Sequence, residues 1–554
     1  MLVGAAVGDA LGWPQELRGG IVGGKKVRQG MEPKANFRAW MRTGGSRFTG
    51  TYLDPVAPGE YSDDTQLIIA VSRAYLYGDD WFARFTQIEL PTWRIYQRGG
   101  GRAVLAAART WSDGRAPWRP GGGARGREAV ERYHQAGGNG AAMRVAPHVL
   151  AGADLESSLR AVVADAASTH GHPRAIIGAV VYASTLAFAL QTEETIEYGD
   201  LIEAGRRGIR SVEWAIDALR HYGIDGLGGA AFEDAWASSC NEVSRALNSI
   251  DQALRRGTMA NDRVVLESIG AIGPAGGAGT TTAVAAIYLA SRGAARPLSG
   301  LLAAAFARDA DTDTLASMVG GMLGAVHGAH WLGPLNSVQD VNYLRSLAEM
   351  LTTRRGGGAL WDGTRVAESA RQLRTRLPGL HVGDRGRFPD GREFVVDQRG
   401  ALPDSSFIRL RLALSDGQTV LIDTPIRKSD HVAAAGPQRP LPERARHQSV
   451  AVAIRVAFGT GDLSRAARFY SMVLGRELRI QGDEFELSEY ILMRRERAGV
   501  TPGDEPTLEL TSTDLSYTAS VLDADITTSP AGPEILARDP DGRKLRIREA
   551  TTED

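Results

Sequence analysis

The sequence predicts a multidomain protein. An all-α domain occupies residues 1–377, a small β module 378–426, and an α+β domain 450–551 behind a linker at 427–449. Three observations carry that division. Apolar residues recur at spacings of three and four through the Ala- and Gly-rich residues 1–377, and strand-like alternation starts only beyond Leu380. Pro437, Pro440 and Pro442 stand among charges between two patterned regions. A chain of 554 residues also exceeds what one core accommodates.

In chain order, helical periodicity marks 65–77, 159–167, 175–190, 201–222, 281–291, 315–328 and 343–352. Short alternating runs at 393–397, 407–412 and 419–422 follow, separated by the turn signals Pro389-Asp390-Gly391 and Asp416-Gly417. From 450, a strand at 451–458 leads into a helix at 463–473 and strands near Leu478, Tyr490 and Leu508. A helix at 515–522 and a hairpin at 535–547 around Asp539-Pro540-Asp541-Gly542 complete the pattern.

Composition excludes several classes. Net charge is −1, so no overall field recruits nucleic acid or membrane. The single Cys240 cannot form an internal disulfide, which fits a reducing cytoplasm. The apolar start lacks a basic lead and meets Asp9 early, unlike a secretory signal. The uncharged stretch 268–291 is mostly Gly, Ala and Thr, too weakly apolar to span a membrane.

The chemistry concentrates in two acidic strings, Ser62-Asp63-Asp64-Thr65 and Asp311-Thr312-Asp313-Thr314, about 250 residues apart. Each opens an apolar helical run, so each has a plain reading as a helix cap. A cap needs one acceptor, however, and both strings carry two acids beside hydroxyls. Crowded carboxylates repel unless cations offset them, and an all-oxygen donor set suits Mg²⁺ or Ca²⁺ rather than zinc.

Three further segments add to this. Gly4-Ala-Ala-Val-Gly8-Asp9-Ala10-Leu11-Gly12, with Glu16 beyond it, reads as a tightly packed helix followed by an acid. Gly138-Asn139-Gly140-Ala-Ala-Met143-Arg144 reads as a tight turn entering a helix. Ser168-Thr169-His170-Gly171-His172-Pro173 carries two histidines with no Cys beside them, a poor zinc site.

In this order, the five segments resemble the ADP-ribosylglycohydrolase family over roughly residues 1–335. The resemblance implies an all-α orthogonal bundle with two Mg²⁺ ions that releases ADP-ribose from an acceptor. It implies metal ligands at Ser62, Asp63, Asp64, Asp311, Asp313 and Thr314, and catalytic acids at Glu16, Asp63 and Asp64. It also implies substrate contacts at Asp9, Gly138, Asn139, Gly140, Met143, Arg144 and His170. One departure stands out: Asp309-Ala310 precedes the closing acidic string where the family carries Gly-Gly, and side chains there crowd a close backbone approach.

Two basic stretches, 18–47 and 109–132, flank these segments. The first holds Arg18, Lys25, Lys26, Arg28, Lys34, Arg38, Arg42 and Arg47; the second adds Arg115, Arg119, Arg125 and Arg127 beside Trp111 and Trp118. Cations near aromatics suit a diphosphate and an adenine ring, or a nucleic-acid acceptor; solvated loop charge is the plain alternative.

Residues 450–551 resemble a glyoxalase/bleomycin-resistance (vicinal oxygen chelate) module, through the first strand, Asp462-Leu-Ser-Arg-Ala-Ala-Arg-Phe-Tyr470 and the closing Arg538-Asp-Pro-Asp-Gly542 turn. The first strand has no His or Glu, and Arg546 stands where a ligating Glu is usual, with Glu549 further out. Arginine cannot ligate a metal. The expectation is a metal-free module for binding or homodimerisation.

Two other functions compete with the hydrolase. One is a non-catalytic ADP-ribose or nucleotide sensor, and the other a dimetal hydrolase of a different glycoside or phosphoester. The acceptor stays open among protein side chains, nucleic acid and small molecules.

Overall fold

The computed structural model describes residues 1–16, 21–22, 25–26, 33–46, 50–192, 195–273, 275–353, 364–403 and 405–426, and beyond these only seven strands between 454 and 549. The linker 427–449, the helices expected at 463–473 and 515–522, the strand near Leu478 and the turn around Asp541 lie outside the described residues, as do Arg18, Arg28 and Arg47. The chain divides into two compact units, Met1–Ala435 and Gly436–Asp554.

Two helices set the frame of the first unit. Leu2–Gly12 is buried along its whole length: its side chains are apolar or absent except for Asp9, whose carboxylate is hydrogen-bonded to Ser62 and Thr65. Gly4, Gly8 and Gly12 recur every four residues and so share one stripe. A Cβ at these positions would stand 2.2, 2.0 and 2.1 Å from the carbonyl oxygens of Gly320, Ala316 and Thr312. The stripe therefore lies backbone to backbone, antiparallel, on the helix Thr312–His327. Any larger side chain there would hold the two helices apart. This contact joins segments some 300 residues apart in sequence.

Around this pair pack Asp63–Tyr75, Leu155–Thr169, Pro173–Gln191 and Gly279–Gly293, all with largely buried faces. Pro173–Gln191 starts with proline at its first turn, where no amide donor is needed. Among the described residues it is the one helix long and apolar enough to cross a membrane, and it is mostly buried inside the unit.

Some elements depart from the sequence reading. The helix expected at 201–222 is two, Asp200–Arg207 and Val212–His221. Gly208 ends the first, and the Ser211 hydroxyl caps the second by accepting from Trp214 N at 3.4 Å. Ala230–Arg255 escaped notice because polar residues separate its buried Phe232, Trp236, Val243, Leu247 and Ile250.

The first 377 residues are also not purely helical. Trp40–Ser46 and Gly50–Val56 form an antiparallel hairpin within a four-stranded sheet. The hairpin seats Trp40 edge-on against Trp13, centroids 5.2 Å apart.

The strands Arg385–Arg387, Glu393–Ala401, Phe407–Leu414 and Thr419–Pro425 make an antiparallel meander, as the alternation at 393–422 led us to expect. This sheet belongs to the same compact unit as the helices. Its buried row of Ile408, Leu410, Leu412 and Leu414 joins the main core. Polar ties fix its position: Arg73 Nη1 donates to Gln418 Oε1 at 2.6 Å, Thr419 Oγ1 to Asp340 at 2.6 Å, and Tyr52 OH to Asp423 at 2.7 Å. Buried Asp54 gathers the guanidinium groups of Arg42, Arg98 and Arg409, one from the hairpin, one from the loop at 97–101 and one from this sheet.

The described residues of the second unit form one seven-stranded sheet. Ile454–Thr460 pairs parallel with Ile491–Arg495 and antiparallel with Leu508–Ser512; Lys544–Glu549 pairs parallel with Leu508–Ser512 and antiparallel with Gly532–Arg538. Arg546 stands in register with Glu509 on one side and Leu536 on the other.

Candidate active site

The antiparallel contact of Leu2–Gly12 with Thr312–His327 brings Asp9 and Glu16 to the start of the second helix. Thr312 Oγ1 donates to Gly12 O at 2.9 Å and locks that junction. The helix Asp63–Tyr75 begins at the same place. Its N-terminus is held by Asp9, whose carboxylate accepts from Ser62 N at 3.0 and 3.1 Å, Thr65 N at 3.0 Å and Thr65 Oγ1 at 2.6 Å. Across 250 residues, Thr314 Oγ1 donates to Asp64 Oδ1 at 3.3 Å. The two acidic strings thus meet, each at a helix N-terminus whose partial positive charge favours anions.

The carboxylates crowd. Glu16, Asp311 and Asp313 each place an oxygen within 4.8 Å of those of the other two. Burial, then the charges of Asp9, Glu16 and Asp311, pushes the Asp63 carboxyl up to about 8. Asp64 and Asp313 are driven well above the ordinary range, by burial first and by neighbouring carboxylates second. Asp64 Oδ2 is buried and has no hydrogen-bond partner among the described residues. A buried acceptor without a donor is costly, and a cation removes that cost for the whole cluster. The donors are all oxygen, which fits a hard divalent ion.

These groups line a cavity of about 820 Å³, the size of a small-molecule site. Glu16, Asp63, Asp64, Asp311, Asp313 and Thr314 form its acidic wall, and Gly138, Asn139, Gly140, Met143 and His170 face it from the 3₁₀ turn Asn139–Arg144 and the end of Leu155–Thr169. Asn139 bridges the two sides: its Nδ2 donates to Asp311 Oδ2 at 3.0 Å and to Thr282 Oγ1 at 3.2 Å.

Three expected contacts lie behind the cavity wall instead. Asp9 is fully buried, bonded to the Ser62–Thr65 turn, and does not line the cavity. Ser62 is fully buried, and its hydroxyl caps the helix by accepting from Asp64 N at 3.4 Å. Arg144 is also fully buried: it donates to Asp165 at 3.1 Å, to Gly140 O at 2.8 Å and to Thr169 Oγ1 at 2.7 Å. It holds the turn together from inside.

The structure adds residues that the motif reading missed. Gly99 lines the cavity with φ at 98°, and a Cβ there would stand 2.8 Å from Asp63 Oδ1. The run Gly99-Gly100-Gly101 was the available signal. Arg102 joins Arg109 and Arg132, the two ends of the second basic stretch, on the cavity wall. Trp111 and Trp118 pack edge-on against each other, centroids 5.6 Å apart, and do not line the cavity. Trp118 is buried and donates to Asp225 at 3.1 Å, and Trp111 donates to Ser168 O at 2.9 Å.

In the Asp309-Ala310 departure, Asp309 adopts φ 69°, the left-handed region a glycine favours and an aspartate tolerates. Its carboxylate turns to Arg263 at 3.2 Å, and neither it nor Ala310 lines the cavity.

The ADP-ribosylglycohydrolase family profile matches residues 1–359, the stretch that carries every residue of this cavity. The chain belongs to the ADP-ribosylglycohydrolase family. Membership in this glycohydrolase family supports hydrolysis of ADP-ribose linkages, and its members are typically metal-dependent. A solved "ADP-ribosylglycohydrolase-related protein complex" aligns at 22% identity with a TM-score of 0.38, covering 64% of this chain and 96% of that one. No curated protein matches.

Proposed function

We propose that the protein is a Mg²⁺-dependent hydrolase that cleaves the glycosidic bond between ADP-ribose and an acceptor, reversing ADP-ribosylation. The observation that carries this reading is the convergence of five acids and Thr314 on one cavity, with Asp64 Oδ2 buried and unpartnered. Asp63, Asp64, Asp311, Asp313 and Thr314 would hold two Mg²⁺ ions, with Glu16 at their edge. Bound there, the ions would supply Lewis acidity toward substrate oxygens and ease deprotonation of water.

The chain's own residues do the rest. Arg102, Arg109 and Arg132 offer charge-assisted hydrogen bonds to the diphosphate. The acidic wall stabilises the oxocarbenium-like ribose as the bond at its anomeric carbon lengthens. Glu16, half-buried beside Asp311 and Asp313, takes the proton of the water whose oxygen adds to that carbon, and that proton passes on to the departing acceptor as its bond to the ribose breaks. The second unit, read as a metal-free glyoxalase-like module, selects the acceptor or pairs two copies.

The test is release of ADP-ribose from mono-ADP-ribosylated proteins and nucleic acids, with Mg²⁺ and with EDTA. Release in Mg²⁺ from one panel names the acceptor class. No release from any substrate overturns the proposal.

A further inference from the structure

A chain of buried polar groups runs behind the cavity to His170. Asp165, fully buried, holds Arg144 through Nε at 3.1 Å and is itself contacted by His148 Nε2 at 3.1 Å, whose other ring nitrogen meets Tyr75 OH at 2.7 Å. Burial opposes charge on Asp165, yet the Arg144 guanidinium and His148 keep its carboxyl below the ordinary range. Arg144 Nη2 donates to Thr169 Oγ1 at 2.7 Å, and Thr169 Oγ1 lies 2.8 Å from His170 Nδ1.

Hydrogen-bond inventory decides the direction. A guanidinium only donates, so Thr169 Oγ1 accepts from Arg144 and has one proton of its own to place. Thr169 is buried, and among the described residues His170 Nδ1 is the acceptor within reach of that proton. With Nδ1 accepting, the imidazole proton sits on Nε2. That atom lies beside Gly138 and Gly140 on the cavity wall, where a Cβ would come within 3.9 and 3.5 Å of it. Burial, and then the nearby Arg144 charge, holds the imidazole neutral, pushed down to about 3.

We propose that Asp165, Arg144 and Thr169 are positioning residues that lock His170 in the Nε2–H form, presenting a neutral hydrogen-bond donor to an oxygen acceptor of the bound ligand. That the acceptor belongs to ADP-ribose rests on the function proposed above; the tautomer does not. Arg144 thereby acts on the ligand through two side chains, without touching it. A second-sphere hydrogen bond that sets which imidazole nitrogen carries the proton is a general device.

The experiment is nitrogen-detected NMR of ¹⁵N-histidine-labelled full-length protein, with His170→Gln assigning the signal, alongside calorimetric binding of ADP-ribose. The expected result is Nε2–H with unprotonated Nδ1. Thr169→Val should lose that signature and bind ADP-ribose about 10-fold more weakly, while Thr169→Ser should retain both. An Nδ1–H signal in the unaltered protein, or an unchanged tautomer in Thr169→Val, overturns the relay. An Nε2–H signal in a protein that binds no ADP-ribose supports the relay and overturns the ligand assignment.

Discussion

Gly8→Ala tests whether backbone contact between the two end helices builds the site. Two effects oppose each other. Alanine in place of glycine favours a helix by about 1 kcal/mol. The new Cβ, however, would stand 2.0 Å from Ala316 O and 2.4 Å from its carbon, both rigid backbone atoms. Overpacking of this kind costs about 1–3 kcal/mol, and the upper end applies where no side chain can rotate away. The net expectation is a loss of about 2 kcal/mol, and a fall of a few degrees in melting temperature.

Function should suffer more than stability. Restoring ordinary contact moves the helices apart by roughly 1 Å, beyond the ~0.5 Å tolerance of a binding constellation. Glu16 and the Ser62–Thr65 turn move away from Asp311 and Asp313, so turnover should fall by about 10²-fold. Calorimetric titration with Mg²⁺, thermal unfolding and ADP-ribose release read the three consequences. Gly122→Ala, whose Cβ meets nothing within 4 Å, is the control. A Gly8→Ala protein as stable as the parent, with unchanged cation affinity, would refute the reasoning.

Other outcomes follow from the same geometry. Asn139→Ala removes the donor to Asp311 and should weaken divalent-cation binding by about 10–100-fold; equal affinity by titration would place Asn139 outside the cation site. The Asp63 carboxyl is raised to about 8, so in its neutral form it favours the folded state at acid pH, and that contribution disappears as pH rises from about 4 through about 8. EDTA-treated protein should therefore melt lower at about pH 8 than at about pH 5, with Mg²⁺ raising the melting temperature more at the higher pH. A Mg²⁺ effect independent of pH counts against the buried carboxylate cluster. Asp54→Asn leaves Arg42, Arg98 and Arg409 without their shared anion and should cost about 3–5 kcal/mol by urea unfolding; a loss under about 1 kcal/mol would mean that this charge cluster does not hold the sheet in place.

The motifs were readable because their chemistry is local. Two acids beside hydroxyls, opening an apolar helical run, exceed what a helix cap needs and offer an oxygen donor set before any tertiary contact is known, and Gly138-Asn139-Gly140 reads as a turn. The burial of Asp9 and Arg144 was not legible, because residue type alone cannot tell a charge that faces a cavity from one buried behind it. Arg144 differs from Arg102 only in what surrounds it: Asp165 and Thr169 for one, open cavity for the other. Gly99 matters through its distance to Asp63, which no local pattern encodes.

By itself, the sequence determined the helical character of the first region, the alternating strands after Leu380, and an oxygen-only donor set suited to hard cations. Spacing and side-chain chemistry suffice for these, since both act over a few residues. Only the tertiary structure decided that the Gly4–Gly8–Gly12 stripe lies on Thr312–His327, that the sheet at 385–425 is built into the helical unit, and that Arg144 reaches Thr169, the hydrogen-bond neighbour of His170. The first two depend on contacts some 300 residues apart and the third on contacts 21 and 25 residues apart, all beyond the reach of local preference, so which surfaces bury each other sets the outcome.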